Sequence, residues 1–532
     1  MADLEGRMAR DLNTTHAAID AAVVDADAGT SGLKRTIGTV PLVAMGVAAV
    51  VGAGIFVVTG EAAATKAGPA VVIAFIIAGI VAGFSALSYS ELAGMIPLAG
   101  STYSYAYAAL GAFVAWVIGW DLLVEYLFGA ANVANGWSSY FANLAAGAGV
   151  DLPPEILNPP VSGSDTDVVG WINLPAVILV LLITLLLISG AKESARATTF
   201  FVIVKIGTLL LFVLVGVFAV TGSNYEPFVP PNEGNFQAFG WSGVLAAAGI
   251  VFYGYISFDV VCTAAQEAKN PRRSVPIGVL GSLGIATVLY VAVGAVLVGL
   301  VSYTLLNTPN ALSAALDAVN LGWVGDIVDV GAVIGLGASV LALLYGQTRI
   351  LMRMSQDAML PSALGRVASG RGTPTISILI CGIAAAIMSG LLPSSILVEL
   401  VSIGTLLAFI IVSVAVIVLR KTRPDLPRNF KVPGGYTFPI LSIVTSLIIM
   451  MTLPFATWLR LLAWLAIGLV IYFTYSKARA GALLDERAAE QPEALVEEFA
   501  EEREREREQA EERDKKRDKK LDKKRDKKRG DA

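Results

Sequence analysis

Apolar stretches recur along this chain from Ile37 to Tyr475, and each has the about 20 residues needed to cross a hydrocarbon layer roughly 30 Å thick. Inside lipid every backbone polar group must be satisfied within the protein, so continuous apolar runs of this length become helices. With 532 residues, 55% of them hydrophobic and 15% charged, and a mean hydropathy of +0.69, the chain carries more apolar surface than a soluble fold of its size can hide. Taking Gly, Pro and charge clusters as boundaries, spans are expected near 37–64, 70–95, 103–145, 171–190, 197–221, 241–268, 275–301, 323–352, 374–391, 395–419, 436–455 and 457–476. About twelve helices result. The third is too long for one perpendicular crossing and must tilt or project, while the last two are joined so tightly that they are easily miscounted.

The organisation is a leader over residues 1–35, a membrane domain over 36–476 and a charged low-complexity tail over 477–532. The leader lacks the basic start, apolar middle and cleavage site of a signal peptide, and reads as a loose cytoplasmic tail. The last segment runs from an acidic stretch, Asp485 to Glu512, into repeats of Arg-Asp-Lys-Lys that cannot form a core. It reads as a solvated tail, or as a basic end facing anionic lipid headgroups.

Lys and Arg in short loops are retained on the cytoplasmic side, and here every second loop is basic. The sets are Lys34 and Arg35; Lys192 and Arg196; Lys269, Arg272 and Arg273; Arg349, Arg353, Arg366 and Arg371; and Arg420, Lys421, Arg423, Arg428 and Lys431. The opposite loops hold Asp151, Glu155, Asp165, Asp167, Glu226, Glu233 and Asp317. A multi-pass protein of the plasma membrane with both termini in the cytoplasm is expected.

Two spans are interrupted. In the first, Val51-Gly52-Ala53-Gly54-Ile55-Phe56 puts two glycines deep in the membrane. Unwound backbone at that depth implies a surrounding cavity. A half-helix starting at Gly54 would aim free N–H groups at it, which suits a carboxylate; a Gly-x-Gly by itself equally suits close helix packing. In the sixth span, Phe252-Tyr253-Gly254-Tyr255-Ile256-Ser257-Phe258-Asp259 brings a glycine, aromatics and an acid. If spans one to five and six to ten are inverted repeats, the first helix of each is broken, the pointer expected of a secondary transporter. N–H groups near Gly54 and Ile55 would then hold a carboxylate, and carbonyls near Val50, Tyr253 and Ile256 an ammonium, with Gly52 and Ala53 forming the break. Phe252, Tyr253 and Tyr255 either close over the ligand or simply pack.

Charges inside the membrane need a partner or a task. Glu91 and Glu267 fall near cytoplasmic ends, as interfacial or latch residues, and Glu399 near an outer end. Lys205 stands among Val202, Ile203, Val204 and Ile206, where desolvation makes a fixed charge costly. It either couples proton transfer to alternating access or snorkels to the interface. Asp121 and Glu125 are four apart on one helix face, and either relay protons or satisfy contacts between helices. One histidine, His16, and two cysteines, Cys262 and Cys381, leave little material for zinc, disulfides or histidine catalysis. No enzyme, cofactor, metal or nucleic-acid partner is expected.

Six ordered motifs carry a resemblance. They are Gly52-Ala53-Gly54-Ile55-Phe56, Pro97-Leu98-Ala99-Gly100-Ser101-Thr102-Tyr103, Gly119-Trp120-Asp121-Leu122-Leu123-Val124-Glu125-Tyr126, Glu267-Ala268-Lys269-Asn270-Pro271-Arg272-Arg273, Ser355-Gln356-Asp357-Ala358-Met359-Leu360-Pro361 and Arg428-Asn429-Phe430-Lys431-Val432-Pro433. From Leu33 to Ser476 the chain resembles the amino acid/polyamine/organocation transporters, and among them the prokaryotic relatives of the cationic amino acid transporters. That resemblance implies an all-α, leucine-transporter-like fold of two inverted five-helix repeats plus two helices. It implies secondary active transport of amino acids: proton-coupled symport, or exchange on the same fold. Lys205 matches the fifth-helix lysine that replaces a sodium ion, Tyr253 the aromatic gate, and Asp259 the helix-six acid that can face substrate. Gly254 and Ser257 stand where Ala and Gly are usual, and Gln266 replaces an acid, so the choice between cationic and neutral substrates stays open. Partners are the amino acid, protons and lipid, and a monomer is expected.

Overall fold

The computed structural model describes residues 35–490 apart from 97, 99–100, 162–169, 309, 369–371, 425 and 427, and leaves undescribed the side chains of 191–198 and 484–490. The expectations for residues 1–34, Lys34 included, for most of the charged tail, for the Pro97, Ala99 and Gly100 part of one motif, and for the loop side chains Asp165, Asp167, Lys192, Arg196 and Arg371 lie outside the described residues.

Among the described residues eight helical stretches are long and apolar enough to cross a membrane, and three shorter apolar helices accompany them. The first stretch, Thr39–Met95, has 57 residues, enough for two crossings of about 20, which brings the total to twelve. They are α1 (Thr39–Val50), α2 (Val71–Met95), α3 (Ala112–Gly147), α4 (Leu174–Ser189), α5 (Ala191–Gly216), α6 (Gly240–Val251), α7 (Pro271–Leu300), α8 (Gly322–Gln356), α9 (Thr375–Leu391), α10 (Ser394–Thr422), α11 (Thr437–Thr452) and α12 (Phe455–Ile471). No strand forms among the described residues; a single bridge joins Ile37 to Ala268. The chain divides into a unit ending at Ala480 and a second beginning at Gly481, in which only the end of helix Lys477–Glu490 is described.

The third span owes its length to a corner. A helix over Thr102–Leu110 stops at Gly111, whose φ of 84° lies in the left-handed region, and α3 starts afresh at Ala112. Leu453 and Pro454 separate α11 from α12 in the same clean way.

Each of three helices packs against the one five places further on: α2 on α7, α3 on α8 and α4 on α9. The two broken spans meet at their breaks, so the first ten helices form two five-span repeats, each opening on a broken helix. Large apolar side chains face outward, among them Ile178, Leu182 and Leu185 of α4 and Leu459, Leu462 and Val470 of α12. Several charges that reach the interior are paired. Arg349 donates to Glu267 from Nε at 3.0 Å and Nη2 at 2.9 Å, and the Tyr345 hydroxyl adds a bond of 2.6 Å. Glu91 pairs with Arg420 at 2.5 Å, and Arg353 with Asp357 at 3.0 Å. Glu399, about one-third exposed, meets the equally exposed Arg460.

Candidate substrate site at two helix breaks

The first break is short. α1 ends at Val50, the chain turns through Val51–Ala53, and helical structure resumes with a π turn over Gly54–Val58. The second is longer: α6 ends at Val251, a 3₁₀ turn follows over Phe252–Tyr255, Ile256 is extended with ψ 156°, and Ser257 takes φ 63° before Val260–Thr263 resumes the helix. The breaks touch through their glycines, since a Cβ on Gly54 would lie 2.3 Å from the Gly254 Cα. Only glycine permits that approach.

Between them lies a small cavity, lined by Ala49, Val50, Gly52, Ala53 and Gly54 from the first span, Tyr253, Ile256 and Ser257 from the sixth, and Gly129, Val133, Leu343 and Val401 from α3, α8 and α10. No charged side chain is among the lining residues.

The two breaks present opposite polarity. Among the described residues, the N–H groups of Gly52, Ala53 and Gly54 have no main-chain or side-chain acceptor, whereas the Ile55 N–H donates to Gly52 O at 3.2 Å. The donor row thus keeps Gly54 of the Gly54–Ile55 pair that the sequence suggests and extends back to Gly52 instead of on to Ile55, because a π turn starting at Gly54 leaves the preceding amides unpaired. Carbonyls at the end of α1 are already engaged: the Tyr290 hydroxyl lies 2.7 Å from both Val50 O and Gly254 O and shares its single hydrogen between them. In the second break Tyr253 O accepts from Ile256 N at 3.4 Å, while no described hydrogen bond engages Ile256 O.

Lys205 is fully buried behind the first break rather than in the cavity. Its Nζ donates to Ala48 O at 3.2 Å, to Val51 O, and to Ser339 Oγ at 2.8 Å. Carbonyls at a helix C-terminus attract a cation. Gly335 on α8 lets the stem pass, as a Cβ there would lie 2.9 Å from Lys205 Cγ. Among the described residues no carboxylate pairs with this ammonium.

Of the other sequence candidates, Val50, Gly52, Ala53, Gly54, Tyr253 and Ile256 line the cavity, and Ile55, Phe252, Gly254 and Asp259 do not. Phe252 packs on Phe409, with ring centroids 5.6 Å apart. Gly254 meets Gly54 and Tyr290 instead of widening the pocket. The Asp259 carboxylate accepts from Ser101 Oγ at 2.7 Å and Tyr126 OH at 2.9 Å. Glu125, in a π turn over Val124–Phe128 of α3, accepts from Ser257 Oγ at 3.3 Å. Asp121, fully buried, has no hydrogen-bond partner for either oxygen among the described residues and lies against Gly404. Gly129, Val133, Leu343 and Val401 escaped the sequence reading. The first two continue the four-residue rhythm of Asp121 and Glu125, the signal that could have found them.

The amino acid permease family model matches residues 37–473, nearly the whole helical region. The chain belongs to this family. It is similar to a branched-chain amino acid permease of Bacillus subtilis, 42% identical over 458 residues, or 86% of this chain and 96% of that one. A methylthioribose transporter of the same organism is 41% identical over 85% of this chain and 96% of its own length. A vacuolar cationic amino acid transporter of Arabidopsis thaliana is 36% identical over 74% of this chain and 64% of its own. The protein is thus a multi-pass amino acid transporter and not an enzyme.

Proposed function

We propose that this permease is a proton-coupled symporter of neutral amino acids with branched aliphatic side chains. The observation that carries the reading is the division of labour around the cavity: unpaired N–H groups at Gly52–Gly54 on one side, the Ile256 carbonyl on the other, and no lining charge. The carboxylate is held by the first break, at a half-helix start, and the ammonium by the second. The side chain rests on Gly129, Val133, Leu343 and Val401. A buried ammonium or guanidinium there would lack a counter-charge in the lining, which disfavours cationic substrates. The similarity to a branched-chain amino acid permease supports the same choice.

Lys205 supplies the coupling. It holds its proton while Ala48 O, Val51 O and Ser339 surround it, and gives it up when α1 moves and takes those acceptors away. Glu125 and Asp121, one and two turns from Gly129 along α3, carry the proton onward. The basic loops put both termini on the cytoplasmic side of the plasma membrane, with residues 1–35 and 477–532 as tails, lipid around the helices and a monomer as the working unit.

Uptake of leucine, alanine and lysine into proteoliposomes under an imposed pH gradient tests both parts. Leucine accumulation that is lost in Lys205→Met, with leucine counterflow retained, is the expected result. Lysine preference would refute the substrate; gradient-driven uptake by Lys205→Met would refute the coupling.

A further inference from the structure

Ser257 is the one cavity-lining residue in the left-handed backbone region, with φ 63°. A side chain there costs conformational energy that glycine would avoid, and such outliers concentrate where a group is needed in place. The residue is 2% exposed, lines the cavity beside Ile256, and donates its only hydroxyl hydrogen to Glu125 Oε1 at 3.3 Å. With that hydrogen committed, the hydroxyl oxygen has only lone pairs to offer a ligand. The first break's carbonyls are in use by Tyr290, Lys205 and Ser339, which leaves the stretch Ile256–Ser257 as the acceptor side of the cavity.

We propose that Ser257 is a substrate-binding residue whose hydroxyl oxygen, next to the Ile256 carbonyl, accepts a hydrogen bond from the substrate ammonium, and that Glu125 is its positioning partner. Through this contact Glu125 fixes the direction in which the Ser257 lone pairs point, from outside the cavity. The apolar lining is preserved, and the α-amino group alone benefits. The inference rests on the zwitterion reading above and concerns a group common to all amino acids, so it does not depend on which side chain is carried.

The test pairs affinity with stability. Wild type, Ser257→Gly, Ser257→Ala, Glu125→Gln and the Ser257→Gly/Glu125→Gln double variant are purified and reconstituted, and KM, maximal rate and thermal transition are measured. Uptake of leucine, alanine and lysine by wild type first reports the substrate reading, and KM is then compared on the preferred one. Ser257→Gly is expected to raise KM about tenfold or more, as for a lost hydrogen bond to a charged group. Its ligand-free thermal transition should stay at or above that of wild type, because the strained φ is relieved. Ser257→Ala should raise KM as much without that stability gain. Glu125→Gln should raise KM in wild type but add little in the Ser257→Gly background, as expected of coupled residues. An unchanged KM in Ser257→Gly overturns the proposal, as does a thermal transition that falls in step with affinity. Full additivity of the two substitutions overturns the role of Glu125. A wild type that prefers lysine would overturn the substrate choice alone.

Discussion

The two breaks differ in what holds them and in what they leave open. The first spans three residues and is braced from every side: Lys205 and Ser339 on Ala48 O and Val51 O, Tyr290 on Val50 O, and Tyr140 on Phe56 O at 2.7 Å. Its carbonyls are consumed and its amides are left. The second is longer, passes through an extended and a left-handed residue, and leaves a carbonyl beside a hydroxyl. One break offers donors and the other acceptors. A cavity built from backbone groups and one hydroxyl can therefore recognise both ends of a zwitterion without placing a charge in lipid, where an isolated one would be costly.

The contrast also bears on the coupling proposed for Lys205. Lys205 does not touch the cavity; it binds the end of α1 whose far side carries the donor row. In the proposed mechanism a movement of α1 would be felt by substrate and ammonium together, so that a proton site and a ligand site share one equilibrium without sharing a contact.

Severing the contact between the breaks should have the largest effect. Gly54→Ala would place a methyl against the Gly254 backbone, which cannot rotate away, and the displaced amides should reduce leucine uptake by about a hundredfold, measured at equal reconstituted protein. Tyr290→Phe removes the one hydroxyl that ties the breaks together through Val50 O and Gly254 O. Losing a donor to two buried carbonyls should cost about 1–3 kcal/mol of stability, read by thermal or denaturant unfolding in detergent, and slow uptake a few-fold. Arg460→Gln leaves both breaks alone. Its partner Glu399 is about one-third exposed, so stability should change by no more than about 1 kcal/mol and KM should not move.

Much of this arrangement was legible in the residues, and the gaps have physical causes. Twelve spans follow from apolar runs, and both breaks from glycines and an acid at membrane depth. The exact donors did not follow. Choosing Gly52–Gly54 over Gly54–Ile55 requires knowing that the helix resumes with a π turn, and nothing in Gly-Ile-Phe-Val-Val announces one. Asp259 looked like a substrate ligand because its partners, Ser101 and Tyr126, lie 158 and 133 residues away. Leu343 and Val401 are ordinary residues of lipid-crossing helices until three helices bring them to one cavity. Glu91 and Glu267, expected near cytoplasmic ends, are each held by an arginine that sequence order does not reveal.

Competition against radiolabelled leucine tests the division of labour between the breaks most directly, using isoamylamine, which lacks the carboxylate, and 4-methylpentanoate, which lacks the ammonium. Donors at Gly52–Gly54 and acceptors at Ile256–Ser257 require both ends, so each analogue should compete at least about a hundredfold more weakly than unlabelled leucine. Inhibition by either one at leucine-like concentrations would contradict the account, because a cavity that reads only one end of its ligand is not the two-sided cradle described above.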